Sequence, residues 1–192
     1  MADRFKQILR NTNRAVRKKL PLSYQKEAAA KICTRIRQLK EYRYAKRIAF
    51  YHAHGGEISL KEIWQAAPMH GKYCYFPVIT AEKKLLFLPA TPATPLIENH
   101  YGILEPDVDL THAIAPSNLN LIFIPLLAFD NYGTRLGMGA GYYDRTLENE
   151  HHALLIGVAY DFQYEPYIIP QEWDVPLTAV ITPNNIYWWN KK

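Results

Sequence analysis

Three observations predict an α/β protein. Short apolar runs alternate with helical patterns along most of the chain, the apolar run at 120–130 leads into a glycine-rich turn, and the N-terminal quarter reads as cationic helices. The expected architecture is a mostly parallel open sheet with helices on both faces, in a single domain over residues 1–192 opened by a basic helical pair. A chain of 192 residues can bury a substantial core.

Asp3 is a candidate N-cap for a first helix that carries Phe5, Ile8, Leu9, Val16 and Leu20 on a broadly apolar side and stops at Pro21. Lys6, Arg10, Arg14 and Arg17 recur at three- and four-residue steps and share a helix face, which suits either a run of phosphates or solvent. Ser23 is a candidate cap for a second helix with Ala29, Ile32, Cys33, Ile36 and Leu39 at helical spacing. A strand over 47–52 then turns through Gly55-Gly56, and Ser59-Leu60-Lys61-Glu62 forms a capping box for a short helix ending near Pro68. Residues 73–79 and 84–88 read as strands, and 89–116 as a largely irregular stretch too long to be a mere connector. Strand 121–125, the glycine turn, a helix from about Tyr142, and strands at 154–160 and 179–182 complete the alternation before an aromatic tail.

Composition narrows the classes. No apolar run approaches the roughly 18–20 residues that span a bilayer, and the N-terminus lacks the apolar core of a signal peptide. Cys33 and Cys74 are too few for a disulfide framework or a four-ligand zinc site, so a cytoplasmic protein with reduced thiols is expected. Residues 1–47 hold 15 Lys/Arg against 3 Asp/Glu, whereas the remainder hold 8 against 15. The N-terminal excess suits a nucleic acid, a small polyanion or a solvated helix face.

The most informative segment runs from Asp130 to Arg145. Gly137, Gly139 and Gly141 stand at alternate positions between Arg135 and Tyr142-Tyr143-Asp144. Glycines let backbone N–H groups turn inward and approach an anion closely, and a helix start adds unpaired amides. Neither the dinucleotide fingerprint nor a P-loop lysine motif is present, so the alternative is a turn that only joins strand to helix. Asp144, in the first turn of that helix, suits a magnesium ligand beside a loop-bound phosphate or an interaction with the helix amides. Asp174 is a candidate second carboxylate or a turn residue. Glu57 follows the first strand on the edge where ligands gather in open α/β sheets. His52 and His54 have no third ligand nearby, and no nucleophile elbow occurs. Tyr142 and Tyr143 point about 100° apart on a helix, so one of them faces a ligand.

The segment Asn120–Asp144 closely resembles the signature of the 5-formyltetrahydrofolate cyclo-ligase, or methenyltetrahydrofolate synthetase, family. Four stretches agree in order: Lys6-x-x-x-Arg10, Gly56-Glu57-Ile58, Gly102-Ile103-Leu104-Glu105-Pro106, and 173–183. The resemblance implies an ATP- and Mg2+-dependent ring closure of 5-formyltetrahydrofolate to 5,10-methenyltetrahydrofolate, releasing ADP and phosphate. It implies ATP binding by Lys6, Arg10, Arg135 and the loop Gly137, Met138, Gly139, Ala140, Gly141, Tyr142 and Tyr143. It also implies folate contacts from His52, Glu57, Met138 and Tyr142, and magnesium ligands at Asp144 and Asp174. Met138 and Ala140 depart from the family, which often carries Arg, Lys, Tyr or Gly there, and His52 replaces what is often an apolar residue. A small-molecule substrate, with or without a polyglutamate tail, and a monomer with no membrane are expected. The rival readings are a nucleic-acid-binding module using the basic helices, which leaves 137–144 unexplained, and a catalytically lapsed nucleotide- or folate-binding homologue.

Overall fold

The computed structural model describes residues 2–189, so residue 1 and residues 190–192 of the expected domain lie outside it. Helices α1 (Ala2–Lys19), α2 (Leu22–Gln38) and α3 (Lys40–Tyr44) lead into β1 (Arg47–Ala49). After α4 (Lys61–Ala66) come β2 (Tyr73–Ile79), β3 (Leu85–Pro89) and a small hairpin, β4 (Leu96–Glu98) and β5 (Leu104–Pro106). The remainder is β6 (Leu121–Pro125), β7 (Ala128–Phe129), β8 (Arg135–Leu136), α5 (Tyr142–Leu147), β9 (Leu154–Val158), β10 (Ala179–Ile181) and β11 (Ile186–Trp188).

Seven strands form one sheet in the order β11-β10-β9-β6-β1-β2-β3. The pairs β10/β9, β9/β6, β6/β1 and β1/β2 are parallel, and antiparallel β3 and β11 close the two edges. Period-two alternation sorts the strand side chains onto two faces. Ile48, Phe50, Phe76, Phe123, Ile156, Val158 and Ile181 meet Ile32, Cys33 and Ile36 of α2 and Ile63 and Trp64 of α4. On the other face Ala49, Ile122, Ile124, Leu155 and Val180 are covered by Leu147 of α5 and by loop residues such as Phe129 and Leu177. Helices therefore lie on both faces, but unequally.

From β1 the chain steps to β2 on one side, and through β6, β9 and β10 on the other. The reversal falls between β1 and β6, so a crevice opens beyond their carboxyl ends. Helix α1 lies across that end, and it is buried through its polar face. Phe5, Ile8 and Val16 of the expected apolar side are 45%, 55% and 40% exposed, whereas Lys6 and Arg17 are 6% and 2% exposed. Leu9 packs inward, against Ala128, Leu136 and Ile168. The cause is what α1 rests on. Loop carbonyls leaving β1 and β6 need donors. Asn13 Nδ2 donates to the Leu127 carbonyl (2.8 Å), and Arg17 donates to those of Gly55 (3.0 Å) and Leu126 (3.4 Å). Arg14 is exposed and outside this set.

Several local expectations change. Asp3 lies inside the first turn of α1, not at its cap. Helix α2 starts one residue before Ser23, with Pro21 at its N-cap and no side-chain cap. Ser59 accepts only the Lys61 N–H, because Glu62 is drawn to Arg37 (2.6 Å) instead of closing the capping box. The stretch 89–116 contains the β4/β5 hairpin, whose short strands lack an alternating pattern long enough to read. The aromatic tail supplies edge strand β11.

Gly56 fixes how closely α1 approaches the β1 loop. Its φ is +82°, and an added Cβ would sit 2.6 Å from the Arg17 carbonyl oxygen. We expect Gly56→Ala to destabilise the protein by roughly 1–3 kcal/mol through strain and clash. Urea unfolding measures this, and an unchanged midpoint would mean that α1 docks loosely.

Candidate active site

The glycine loop does not follow β6 directly. A tight β7/β8 hairpin intervenes, pinned by Asp130. This fully buried carboxylate accepts the N–H groups of Tyr132 (2.9 Å), Thr134 (3.0 Å) and Ile168 (2.9 Å), which makes it structural. Loop 137–141 then lies over the crevice. Gly139 and Gly141 have φ of +103° and +68°, a region that other residues enter only with strain. Arg10 reaches the loop from α1 and donates through Nε to the Gly137 carbonyl (3.1 Å). Helix α5 has only six residues, so its dipole is small and cationic side chains carry more of any anion affinity.

Beside the loop, two carboxylates converge. Arg135 is buried and donates to Asp144 Oδ1 (2.5 Å) and to the Val175 carbonyl. Burial pushes its guanidinium pKa down, and the Asp144 charge partly restores it. Asp144 also accepts the Val175 N–H (3.2 Å). Asp174, the preceding residue, accepts the Gln171 N–H (2.9 Å) and pairs with Lys6 Nζ at 3.5 Å. Arg135, Asp144, Asp174 and Lys6 thus form one polar group from four separate segments. Among the described residues no three His, Cys, Asp or Glu side chains cluster as a metal site. A pair of half-buried carboxylates still suits magnesium, which takes one or two protein oxygens and completes its shell with phosphate and water.

The opposite wall comes from β1. Glu57 pairs with Arg17 Nη2 (3.4 Å) and accepts the His54 N–H (3.1 Å), closing the Gly55-Gly56 turn. Burial raises its pKa above the ordinary carboxylate value, and Arg17 opposes the rise. His52 stacks on Phe76 (4.2 Å between centroids) and meets Trp64 edge-on (5.5 Å). These rings, with Leu60, Leu96 and Leu104, line a cavity of 350 Å³. His52 Nε2 and Trp64 Nε1 are buried there without a hydrogen-bond partner. The β4/β5 hairpin reaches across: the Tyr101 hydroxyl lies 3.2 Å from that of Tyr142. Tyr142 therefore meets the hairpin, whereas burial raises the pKa of Tyr143. Met138 is half-exposed.

Sequence reasoning missed Tyr101, Trp64 and Phe76 because nothing in their local patterns separates a site aromatic from a core one. Arg17 belonged to the expected cationic row, and its spacing from Lys6 and Arg10 was the available signal. The buried placement of Lys6 and Arg17 also removes them from any exposed stripe that could follow a nucleic-acid backbone.

A glycine loop, a paired set of carboxylates and cations, and an aromatic cavity thus gather at the carboxyl end of a mostly parallel sheet, where α/β proteins place their ligand sites. The sequence model of the 5-formyltetrahydrofolate cyclo-ligase family matches residues 2–183, and the chain belongs to that family. It is 38% identical over 180 residues to the 5-formyltetrahydrofolate cyclo-ligase of Haemophilus influenzae, covering 92% of this chain and 96% of that one. The Escherichia coli K12 cyclo-ligase is 35% identical over 181 residues, covering 90% and 97%. The NMR structure of Aquifex aeolicus 5,10-methenyltetrahydrofolate synthetase superposes with a TM-score of 0.85 at 28% identity, covering 97% of this chain and 94% of that one. The protein is accordingly an enzyme, a ligase of folate chemistry. No helix among the described residues is long and apolar enough to cross a membrane.

Burial lowers the His52 pKa below its ordinary 6.5, so the fold favours the neutral ring. A depressed pKa gives stability that is present above the unfolded value and lost as pH falls through the folded one. His52→Phe should therefore lose less stability than the parent protein between pH 7.5 and 5. Urea unfolding at both pH values checks this, and an equal loss in the two proteins would remove His52 as a source of acid sensitivity.

Proposed function

We propose that the protein closes 5-formyltetrahydrofolate to 5,10-methenyltetrahydrofolate at the expense of ATP, with magnesium, inside the crevice between β1 and β6. The observation that carries the reading is the convergence of Lys6 and Arg10 from α1 on Asp174 and on the glycine loop. Cations at one end of the chain and a backbone nest far along it would surround one triphosphate.

In this reading Lys6, Arg10 and the loop 137–143 bind the phosphates, and Arg135 acts beside them by fixing Asp144. Asp144 and Asp174 hold magnesium, which supplies charge neutralisation on the phosphate oxygens when bound. His52, Glu57, Met138 and Tyr142 position the folate. The neutral His52 ring offers one donor or acceptor to it, and the Glu57 carboxylate accepts from N–H groups of the heterocycle. The formyl oxygen attacks the γ-phosphorus, ADP leaves, and the N5 lone pair closes an iminium phosphate. N10 adds to the activated carbon, loses its proton, and inorganic phosphate departs with the carbon–oxygen bond. Alignment of the two substrates and stabilisation of the transferring phosphoryl charge are the protein's contribution.

Incubation with ATP, magnesium and 5-formyltetrahydrofolate should generate the absorbance of the methenyl product. Asp144→Asn should lower kcat on the order of 10²-fold, with folding affected far less. Unchanged turnover would remove the metal role of Asp144. Arg10→Ala should raise KM for ATP by about tenfold and leave KM for folate unmoved; an unchanged ATP requirement would return that residue to a purely structural part. Nucleotide binding without product would identify a lapsed homologue.

A further inference from the structure

Arg145 has no part in the site described above, yet its side chain holds the glycine loop. Its Nη2 donates to the Ala140 carbonyl (2.5 Å), and its Nε donates to the Lys83 carbonyl (2.9 Å) in the turn between β2 and β3. Its guanidinium sits 5.7 Å from the centroid of the Tyr142 ring, within cation–π range. A Cβ on Gly141 would fall 2.8 Å from its Nη1, so the guanidinium lies directly against the loop backbone. Lys83 is the one non-glycine residue with positive φ (+58°) among those described, so the turn holds a strained conformation while presenting its carbonyl to Arg145.

Two arginines from different helices therefore grip the loop, Arg10 at the Gly137 carbonyl and Arg145 at the Ala140 carbonyl. In a trans peptide the N–H points opposite to the carbonyl, so each grip also orients the next amide, those of Met138 and Gly141. Side chains 138 and 140 bring no charge to this loop, and the Arg145 guanidinium is the cation that lies against its backbone at 140–141.

We propose that Arg145 is a positioning residue for the phosphate-binding loop, tying it to the β2/β3 turn and fixing the orientation of its amides, an assignment that rests on the ATP reading above. The test compares Arg145→Gln and Arg145→Lys with the parent protein in steady-state kinetics and in backbone 15N relaxation without nucleotide. Arg145→Gln should raise KM for ATP by about three- to tenfold, with a smaller rise in KM for folate because Tyr142 borders the same guanidinium, while kcat stays within about twofold. Arg145→Lys, which keeps the charge but can span only one of the contacts, should fall between. Order parameters of the Gly139 and Gly141 amides should drop from the rigid range toward the flexible one in Arg145→Gln, with β6 and β9 unaffected.

An unchanged KM for ATP together with unchanged loop order would overturn the proposal. So would a general loosening that lowers all order parameters and all kinetic constants alike, which is what a merely structural residue would give. If the parent protein forms no methenyl product, the ligase mechanism fails on its own, and the relaxation comparison still decides whether Arg145 holds the loop.

Discussion

The site depends on the seating of α1 by hydrogen-bond donors on loop carbonyls. Parallel strands end in loops whose carbonyls have no ladder partner, and those after β1 and β6 lie beside each other at the switch point. Asn13 and Arg17 satisfy three of them, and Arg10 satisfies a fourth in the glycine loop. The Leu126 carbonyl also accepts from Gln163 Nε2 (2.6 Å), but a hydrophobic helix face would leave the other three unpaired, at roughly 1–3 kcal/mol each. The helix consequently turns its cations inward, and that orientation delivers Lys6 to Asp174 and Arg17 to Glu57.

Each wall of the crevice is held by a charge that has a partner. Arg135 is buried yet meets Asp144 and a carbonyl, and Glu57 is partly buried yet meets Arg17 and a backbone N–H. Burial alone drives both groups toward neutrality, and the partners oppose it. Pairing of this kind keeps charge available in a half-dry site. It also means that an incoming anion or cation competes with pairs already in place, at Lys6–Asp174 and at Arg135–Asp144.

The sheet was legible because its strands obey simple patterns. Residues 73–79 and 121–125 match β2 and β6 end to end, since buried strands bounded by turn residues leave a clear signal. The polarity of α1 was not legible. Phe5, Ile8 and Val16 look like a core face by the usual helical rule, and that rule assumes a helix resting on side chains, not on carbonyls. The glycine loop announced itself, and so did Asp144, yet the β7/β8 hairpin between strand and loop did not, because its strands are only two residues long. Tyr101 and Trp64 acquire meaning only once the hairpin and α4 are placed in space.

The contact between Lys6 and Asp174 joins positions 168 residues apart, so the site is closed by segments distant in sequence. Synthesis proceeds from N- to C-terminus, so α1 precedes every segment it docks on, first Gly55 and Glu57, then Leu126 and Leu127, and later Asp174, and its inward face is partnered in stages. Until then a strip of cations stays open to solvent, where it remains soluble, whereas an apolar strip would invite aggregation. The polar docking face thus suits a segment that is made before the loops that fasten it.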